Sequence, residues 1–186
     1  MLVGSPVTGA ALRFPFPRRL ASHKYHVGRD FAFLERRFTP RSVFMEVGAA
    51  DCQLALRAAS HVERVYAVDV SGQFIQGVLV PCNLRLVLCD GVHIPVPEAS
   101  VDLAWSGGFM DQLHPGDAHE HLRSVRRSLV AGGEYLCRTR GAPHKLHRRL
   151  LDAGFATVRC YAAAARIPYR TAAFLPAKIV RFAATK

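Results

Sequence analysis

The chain has 186 residues, half of them hydrophobic, and a formal net charge of +11. This length favours one domain, and the apolar content is enough for a sizeable core. No apolar run reaches the roughly 18 residues that a membrane-spanning helix needs. The five cysteines are odd in number and form no CxxC pair, which argues against a disulfide framework and against a structural zinc site. We therefore expect a cytoplasmic protein with reduced thiols.

The charge is distributed unevenly along the chain. Residues 1–122 hold 11 Lys and Arg against 12 Asp and Glu, a net charge of −1. Residues 123–186 hold 14 Lys and Arg against 2 Asp and Glu, a net charge of +12. This asymmetry predicts a non-specific anionic partner for the C-terminal third. The alternative is a solvated surface whose helices carry arginine-rich faces.

The first 22 residues contain three prolines and no acid. We expect a flexible basic segment over residues 1–22, and an Arg-rich targeting signal is the alternative. Residues 23–186 are expected to form a single domain. This domain begins with a predicted helix from His23 to Phe38, whose apolar residues recur at the spacing of one helix face.

The most informative stretch is a strand, a turn and a helix. Val43–Val47 is a short apolar strand that contains one acid, Glu46. A predicted helix over residues 52–60 follows, with Asp51 as its N-cap. The turn between them consists of the small residues Gly48, Ala49 and Ala50. Small residues let the backbone approach a ligand, and free N–H groups at a helix start favour polar or anionic groups. The stretch therefore predicts an α/β ligand-binding element.

Acids also follow the next two predicted strands. Residues 65–69 end at Asp69, about twenty residues beyond the turn, where a carboxylate can accept both hydroxyls of a ribose. Residues 84–88 are followed by Asp90 and Gly91. Acids at successive strand ends predict a nucleoside-binding edge of a parallel sheet.

This ordered series resembles the class I S-adenosylmethionine-dependent methyltransferases with a methyltransferase type 11-like domain, over roughly residues 43–155. The resemblance implies a doubly wound α/β fold with a mainly parallel, seven-stranded, Rossmann-like sheet, whose last strand inserts antiparallel beside the sixth. The predicted strands are 43–47, 65–69, 84–88, 101–105, 134–139, 155–161 and one within 174–186. The predicted helices after the first strand are 52–60, 71–79, 117–129 and 144–153.

The resemblance also implies S-adenosyl-L-methionine as cofactor and a small-molecule methyl acceptor. Asp69 is expected to bind the ribose, Val70 to cover the adenine, and Asp90 to contact the adenine amino group. The full set of expected cofactor contacts is Glu46, Gly48, Ala49, Ala50, Asp69, Val70, Asp90, Gly91, Trp105 and Ser106. Tyr25 or Arg29 on the first helix are candidates for the methionine carboxylate.

Two residues depart from the family's glycine motif. Ala50 and Cys52 occupy places where the family usually has further glycines, and each adds side-chain atoms where the cofactor passes. Alanine fits such a turn if its φ is negative. An alternative role stays open for each of two acids. Instead of contacting the cofactor, Glu46 is a buried acid that binds backbone N–H groups. Instead of contacting the adenine, Asp90 caps the turn after the third strand.

Asp111 and His114 are the candidate general bases, since either can take a proton from a nucleophile. A capping role before Pro115 is the alternative for His114, and many methyl transfers need only in-line positioning. The segment after the fourth strand lacks the (D/N/S)-P-P-(Y/F) signature of nucleic-acid amino-methyltransferases. No metal site is expected, because His119 and His121 point about 200° apart on a helix. A non-catalytic binding module and a nucleic-acid-directed methyltransferase remain the alternative functions.

Overall fold

A sheet of eight strands forms the centre of the protein in the computed structural model, which describes residues 20–71, 79–139, 143–162, 165–167 and 180–186. The strands are β1 (Val43–Val47), β2 (Arg64–Asp69), β3 (Leu84–Leu88), β4 (Val101–Gly107), β5 (Leu129–Thr139), β6 (Thr157–Ala162), β7 (Ala165–Ile167) and β8 (Val180–Thr185). The helices are α1 (Leu20–Leu34), α2 (Gln53–Ala58), α3 (Ala118–Ser128) and α4 (Pro143–Asp152), with 3-10 turns at Glu35–Arg37 and Phe109–Asp111.

The strand order is β3-β2-β1-β4-β5-β8-β6-β7. Strands β1 to β5 pair in parallel, and β8 lies antiparallel between β5 and β6. The predicted seven-stranded, mainly parallel sheet with an inserted antiparallel last strand is therefore confirmed. The short β7, which pairs antiparallel with β6, is an addition that the sequence does not predict, because three residues are too few to show a periodic pattern.

Helices cover both faces of the sheet, as a doubly wound fold requires. One buried cluster packs α1 and α2 against the sheet and includes Phe44, Trp105 and Leu136. The other packs α3 and α4 against the opposite face and includes Met45 and Tyr135. Neighbouring strand residues such as Phe44 and Met45 belong to different clusters because successive side chains point to opposite faces.

The connection from α3 to β5 differs from the prediction. The helix predicted over residues 117–129 ends at Ser128, and β5 follows directly. Gly132 and Gly133, which follow the predicted helix end, lie within β5, whose pairing with β4 shifts register after Val101. A Cβ on Gly133 would lie 3.1 Å from the Val101 carbonyl oxygen. The glycine therefore permits close approach of two strands rather than a helix end.

A buried ionic group joins α1 to the carboxyl ends of the central strands. Asp30 on α1 is 3% exposed, and both of its carboxylate oxygens face arginines. Arg138 Nε lies 3.1 Å from Oδ2, and Arg181 Nη2 donates to Oδ1 at 2.8 Å. The Arg138 guanidinium also donates to the Gly107 carbonyl at 2.8 Å. These contacts fix the position of α1 over β4, β5 and β8.

Some sequence predictions lie outside the described residues. The predicted helix over 71–79 falls almost wholly there, as do residues 1–19 and residues 168–179. The flexible character of the first 22 residues stays a prediction. No helix in the described part of the chain combines the length and the apolar character needed to span a membrane.

Candidate active site

The carboxyl ends of β1, β2, β3 and β4 lie along one edge of the sheet. This edge carries Gly48 after β1, Asp69 at the end of β2, Gly91 after β3, and Gly107 at the end of β4. The ends of parallel strands in an open α/β sheet form a crevice for ligands. Gly48, Asp69 and Gly91 are among the residues that the sequence predicts for this edge, and their role in ligand binding stays a prediction.

The turn after β1 has a left-handed, glycine-like backbone at every second residue. Gly48 has φ +77, and the non-glycine residues Ala50 and Cys52 have φ +47 and +56. Ala50 therefore does not take the negative φ on which its fit was expected to depend. A left-handed conformation costs a non-glycine residue roughly 1–2 kcal/mol. The N–H groups of Gly48 and Ala49 both donate to the Val68 carbonyl, at 2.8 and 3.1 Å, and these bonds hold the turn in place.

Cys52 does not crowd the crevice, contrary to the sequence expectation. Its side chain is fully buried in the cluster beneath α2, and burial, with nearby carboxylates, raises the pKa of its thiol to about 12. Cys52 also takes the N-cap position of α2, so the predicted N-cap, Asp51, is one residue too early. Asp51 accepts a long hydrogen bond from the Gln53 N–H, at 3.4 Å.

Replacing Ala50 by glycine should stabilise the fold. Relief of roughly 1–2 kcal/mol of backbone strain outweighs roughly 0.4–1 kcal/mol of extra entropy in the unfolded chain, so we expect a gain of about 0.5–1 kcal/mol in urea denaturation. Ala99→Gly is a matched control, because Ala99 is also exposed, has φ +49 and lies far along the chain. Equal stabilisation by both variants, with tighter cofactor binding for Ala50→Gly alone, would show that the Ala50 methyl group crowds the ligand. A loss of stability would contradict the strain argument.

Asp69 joins the turn to the end of β2. Its carboxylate is buried; Oδ2 accepts a hydrogen bond from the Ala50 N–H at 2.8 Å, and Oδ1 accepts one from the Ser71 N–H at 3.0 Å. Each carboxylate oxygen has two lone pairs, so both can accept one further hydrogen bond. Asp69 therefore organises the turn and keeps acceptors for a pair of hydroxyl groups.

Glu46 lies beneath the turn, inside the core. Its side chain is 7% exposed, and Oε2 accepts a hydrogen bond from the Ala55 N–H in α2 at 2.9 Å. Burial raises the pKa of Glu46 well above its ordinary value, and the Ala55 hydrogen bond only partly opposes this. This arrangement matches the alternative interpretation, in which the acid binds backbone groups and supports the helix start. Its predicted contact with the cofactor stays a prediction.

The buried Glu46 should make stability depend on pH. The folded state holds a proton that the unfolded chain releases above its ordinary pKa of 4.5, so the free energy of unfolding falls as pH rises through that window. We expect the wild type to lose up to about 1.4 kcal/mol per pH unit relative to Glu46→Gln, measured by urea denaturation between pH 5 and 7. Glu98→Gln, at an acid whose side chain is 75% exposed, provides the baseline. A constant difference between wild type and Glu46→Gln would rule this account out.

The Asp90 carboxylate forms hydrogen bonds within the turn after β3. Its Oδ1 accepts from the N–H groups of Val92 and His93 at 2.8 and 2.6 Å, and its Oδ2 lies 2.7 Å from the His93 ring. Burial alone would raise the pKa of Asp90, but these hydrogen bonds outweigh it and lower the pKa. The geometry is that of the alternative interpretation, a cap for the turn. A contact with an adenine amino group stays a prediction.

The other expected cofactor contacts divide into residues at the strand ends and residues inside β4. Val70 and Gly91 lie side by side, since a Cβ on Gly91 would be 3.3 Å from Val70 Cγ1. Trp105 and Ser106 are instead fully buried within β4, on opposite faces of the sheet. The Ser106 hydroxyl is 2.6 Å from the Tyr135 hydroxyl, so it belongs to the core.

The two candidate bases lie beyond β4. Asp111 is exposed, and its Oδ1 accepts a hydrogen bond from the Thr139 hydroxyl at the end of β5, at 2.5 Å. His114 is also exposed, and its Nδ1 accepts a hydrogen bond from the Gly116 N–H at 3.3 Å, which is the geometry of the capping alternative; its role as a base stays a prediction. Arg29 is exposed on α1, while the side chain of Tyr25 lies outside the described residues.

The cysteines and histidines of the described residues form no metal centre. No group of three or more His, Cys, Asp or Glu side chains within them is arranged around a common point. All five cysteines are free thiols. Burial raises the pKa of the Cys160 thiol to about 11, so this thiol is protonated and unreactive near neutral pH.

Comparison with known proteins identifies the family. The family model described as a methyltransferase domain matches residues 45–137, which is half of the chain. The chain belongs to this methyltransferase family. No curated protein sequence matches it significantly.

Solved structures with the same fold have low sequence identity to this methyltransferase domain. A chain from the complex between the Haloferax volcanii Trm112 methyltransferase activator and the putative methyltransferase is 16% identical with a TM-score of 0.65, over 88% of this chain and 90% of that chain. Haemonchus contortus phosphoethanolamine N-methyltransferase 2 in complex with S-adenosyl-L-methionine is 14% identical with a TM-score of 0.69, over 86% of this chain and 52% of that chain. An S-adenosylmethionine-dependent methyltransferase from Mesorhizobium loti is 12% identical with a TM-score of 0.65, over 85% of this chain and 98% of that chain. These likenesses show the fold alone.

The cofactor of this family is S-adenosylmethionine, and the crevice residues fit its parts. A carboxylate with spare lone pairs, Asp69, suits the ribose hydroxyls. The apolar Val70 beside the positive-φ Gly91 suits a flat ring, and the left-handed turn from Gly48 brings backbone close to the ligand. Sequence reasoning missed Thr139, which holds Asp111; only the pairing of β5 beside β4 brings the two together.

Proposed function

We propose that this protein transfers a methyl group from S-adenosylmethionine to a small-molecule acceptor at the carboxyl edge of β1, β2, β3 and β4. The observation that carries this proposal is the 2.8 Å hydrogen bond between the Ala50 N–H and Asp69 Oδ2. This bond joins the turn after β1 to the Asp69 carboxylate, which supports a site for a nucleoside cofactor at the ends of these two strands.

In this proposal each residue of the crevice has one role. Asp69 accepts the ribose hydroxyls, and Val70 and Gly91 flank the adenine. The turn at Gly48 to Ala50 lies against the methionine portion. Asp90 holds the loop after β3 in shape, and Glu46 supports the start of α2 from below.

The bound cofactor supplies a methyl group on a sulfonium, a donor that needs little activation. The contribution of the chain is to hold the two reactants in line, since positioning removes most of the entropic barrier. Where the acceptor's nucleophile carries a proton, the Asp111 carboxylate is the group placed to take it. The Thr139 hydroxyl fixes that carboxylate at the lip of the crevice.

The segment at the carboxyl end of β4 supports a small acceptor. Its residues, from Trp105 to Phe109, lack the signature of nucleic-acid amino-methyltransferases. One solved structure with the same fold, a phosphoethanolamine N-methyltransferase from Haemonchus contortus, holds the small molecule phosphoethanolamine together with S-adenosylhomocysteine. We therefore favour a metabolite with an amine, hydroxyl or carboxylate nucleophile.

The test is a methyl-transfer assay with purified protein, S-adenosylmethionine and a panel of acceptors. The panel contains small amines, including phosphoethanolamine, small carboxylic acids, hydroxylated aromatics, and structured RNA and duplex DNA. Production of S-adenosylhomocysteine that depends on a small acceptor supports the proposal. Turnover with nucleic acid alone would favour the nucleic-acid-directed alternative, and cofactor binding without any turnover would favour the binding module.

We also propose that α3 and α4 present an anion-attracting surface that does not read sequence. These packed helices carry six Lys and Arg against two acids. The exposed cations are Arg123, Arg127, Lys145 and Arg148. The two ion pairs that neutralise part of this charge, Arg127–Glu98 at 3.6 Å and Arg148–Asp152 at 3.8 Å, are solvent-exposed and therefore weak.

This surface should bind unrelated duplexes with equal affinity. We expect binding to weaken steeply with salt, with a log–log slope of about −0.9 per phosphate contacted. Charge reversal at Lys145 and Arg148 should reduce the slope, whereas reversal at the exposed Arg41 and Arg85, outside these helices, should not. Fluorescence anisotropy between low and physiological salt measures this. No binding at low salt would show that the charge has no binding role.

A further inference from the structure

The ring of Phe109 fills the space between the two glycines of the crevice. A Cβ on Gly48 would lie only 2.8 Å from Phe109 Cδ2, and a Cβ on Gly91 would lie 3.9 Å from Phe109 Cζ. The ring therefore extends from the end of β1 to the end of β3. Phe109 is 8% exposed, although it comes directly after the carboxyl end of β4. It occupies the place where a ligand would meet the glycine turn.

Two glycines, Gly107 and Gly108, precede Phe109 in the chain. Gly107 is fixed, since its carbonyl accepts the hydrogen bond from Arg138 at 2.8 Å. Gly108 has φ +98, and a Cβ built there would meet no atom within 4 Å. Because Gly108 has no Cβ, its backbone has a wider range of allowed φ and ψ angles than any other residue would have at this position. Gly108 is therefore the candidate hinge between the anchored Gly107 and Phe109.

The Phe109 ring packs against a buried histidine, His121, which forms the seat of the ring. The two ring centroids of Phe109 and His121 are 5.2 Å apart. His121 is fully buried, and its Nδ1 donates to the Gly91 carbonyl at 2.9 Å. Its Nε2 is buried without a hydrogen-bond partner among the described residues. An unmatched buried acceptor is costly, so the native packing behind Phe109 leaves a polar atom that a bound ligand or an entering water can satisfy.

We propose that Phe109 is a gate over the cofactor crevice, which closes on Gly48 and Gly91 and turns aside about Gly108 when the adenosyl group enters. This inference rests on the proposed function, since it assumes that the crevice takes S-adenosylmethionine. The open form exposes the seat at His121 and its unmatched Nε2. Closure costs affinity, because a ligand that binds only the open form has its apparent Kd raised in proportion to the closed population.

The test compares S-adenosylhomocysteine binding by the wild type, Phe109→Ala and Phe109→Leu, using calorimetry well below each midpoint of thermal unfolding. Removing the ring should lower Kd at least tenfold in Phe109→Ala, which is about 1.4 kcal/mol, with a smaller gain in Phe109→Leu. Met110→Ala is the matched control, because Met110 lies in the same turn and is also buried, whereas the atoms nearest to a Cβ on Gly48 all belong to Phe109. The Kd of this control should equal that of the wild type. Phe109→Leu keeps most of the apolar volume, so it remains informative if Phe109→Ala does not fold.

The outcomes separate this proposal from the proposed function. Binding by the wild type with no gain, or a loss, in both Phe109 variants would overturn the gate and make Phe109 a wall of the site or a core residue. Binding by the Phe109 variants but not by the wild type would support the gate in its strongest form. Absence of binding in every folded variant would overturn the proposed function and the gate with it.

Discussion

Substituting Asp30 by alanine is expected to destabilise the fold by roughly 3–5 kcal/mol, the usual cost of leaving a buried charge without its partner. Asp30 separates two buried guanidinium groups, Arg138 and Arg181, at 3.1 and 2.8 Å. Without it two like charges face each other between α1 and the sheet. Urea denaturation measures the loss. Asp30→Asn, which keeps one acceptor oxygen, gives a smaller loss and serves if Asp30→Ala is too unstable to purify.

The matched control is Asp152→Ala on α4. Its partner, Arg148, is 3.8 Å away, and both side chains are more than half exposed. Exposed pairs contribute about 0–1 kcal/mol, so we expect almost no change. An Asp30→Ala variant no less stable than Asp152→Ala would show that the buried group does not hold α1 in place.

The second large effect concerns Asp69. Asp69→Ala should weaken S-adenosylhomocysteine binding by roughly 1.5–3 kcal/mol, the range for hydrogen bonds to a charged group, which is about 10- to 150-fold in Kd. The variant should also lose stability, because the Ala50 and Ser71 N–H groups lose their acceptor. Binding and denaturation are therefore both measured.

Asp102→Ala separates these two effects. Asp102 Oδ2 accepts a hydrogen bond from the Val43 N–H at 2.8 Å, at the opposite end of β1. This variant also removes an acceptor from a backbone N–H, but it lies far from the crevice. We expect a modest loss of stability and an unchanged Kd. Equal Kd values for Asp69→Ala and wild type would show that Asp69 does not bind the ribose.

The sequence predicts those parts of this protein that local patterns determine. Apolar runs bounded by small residues gave β1 with its exact limits at Val43 and Val47, and they placed Asp69 at the end of β2. Parallel pairing then brings the strand ends together without further information. The antiparallel insertion of the last strand beside the sixth came from the family resemblance.

The remaining features depend on contacts that are distant in sequence. The sequence leaves two roles open for Glu46, and only the position of α2 shows that its carboxylate accepts a hydrogen bond from the Ala55 N–H. The Asp30 group joins residues 151 positions apart, and no periodic pattern connects them. Phe109 looks like an ordinary apolar residue after a strand. Only the folded backbone shows that its ring lies on Gly48 and Gly91.

The central claim is that the crevice at the carboxyl edge binds the cofactor, and calorimetric titration of the purified chain with S-adenosylhomocysteine tests it most directly. We expect one site per chain with a Kd between low micromolar and submillimolar, about −5 to −8 kcal/mol, and a matching rise in thermal midpoint. Absence of both heat and thermal shift at millimolar ligand, in a protein shown to be folded, would contradict it.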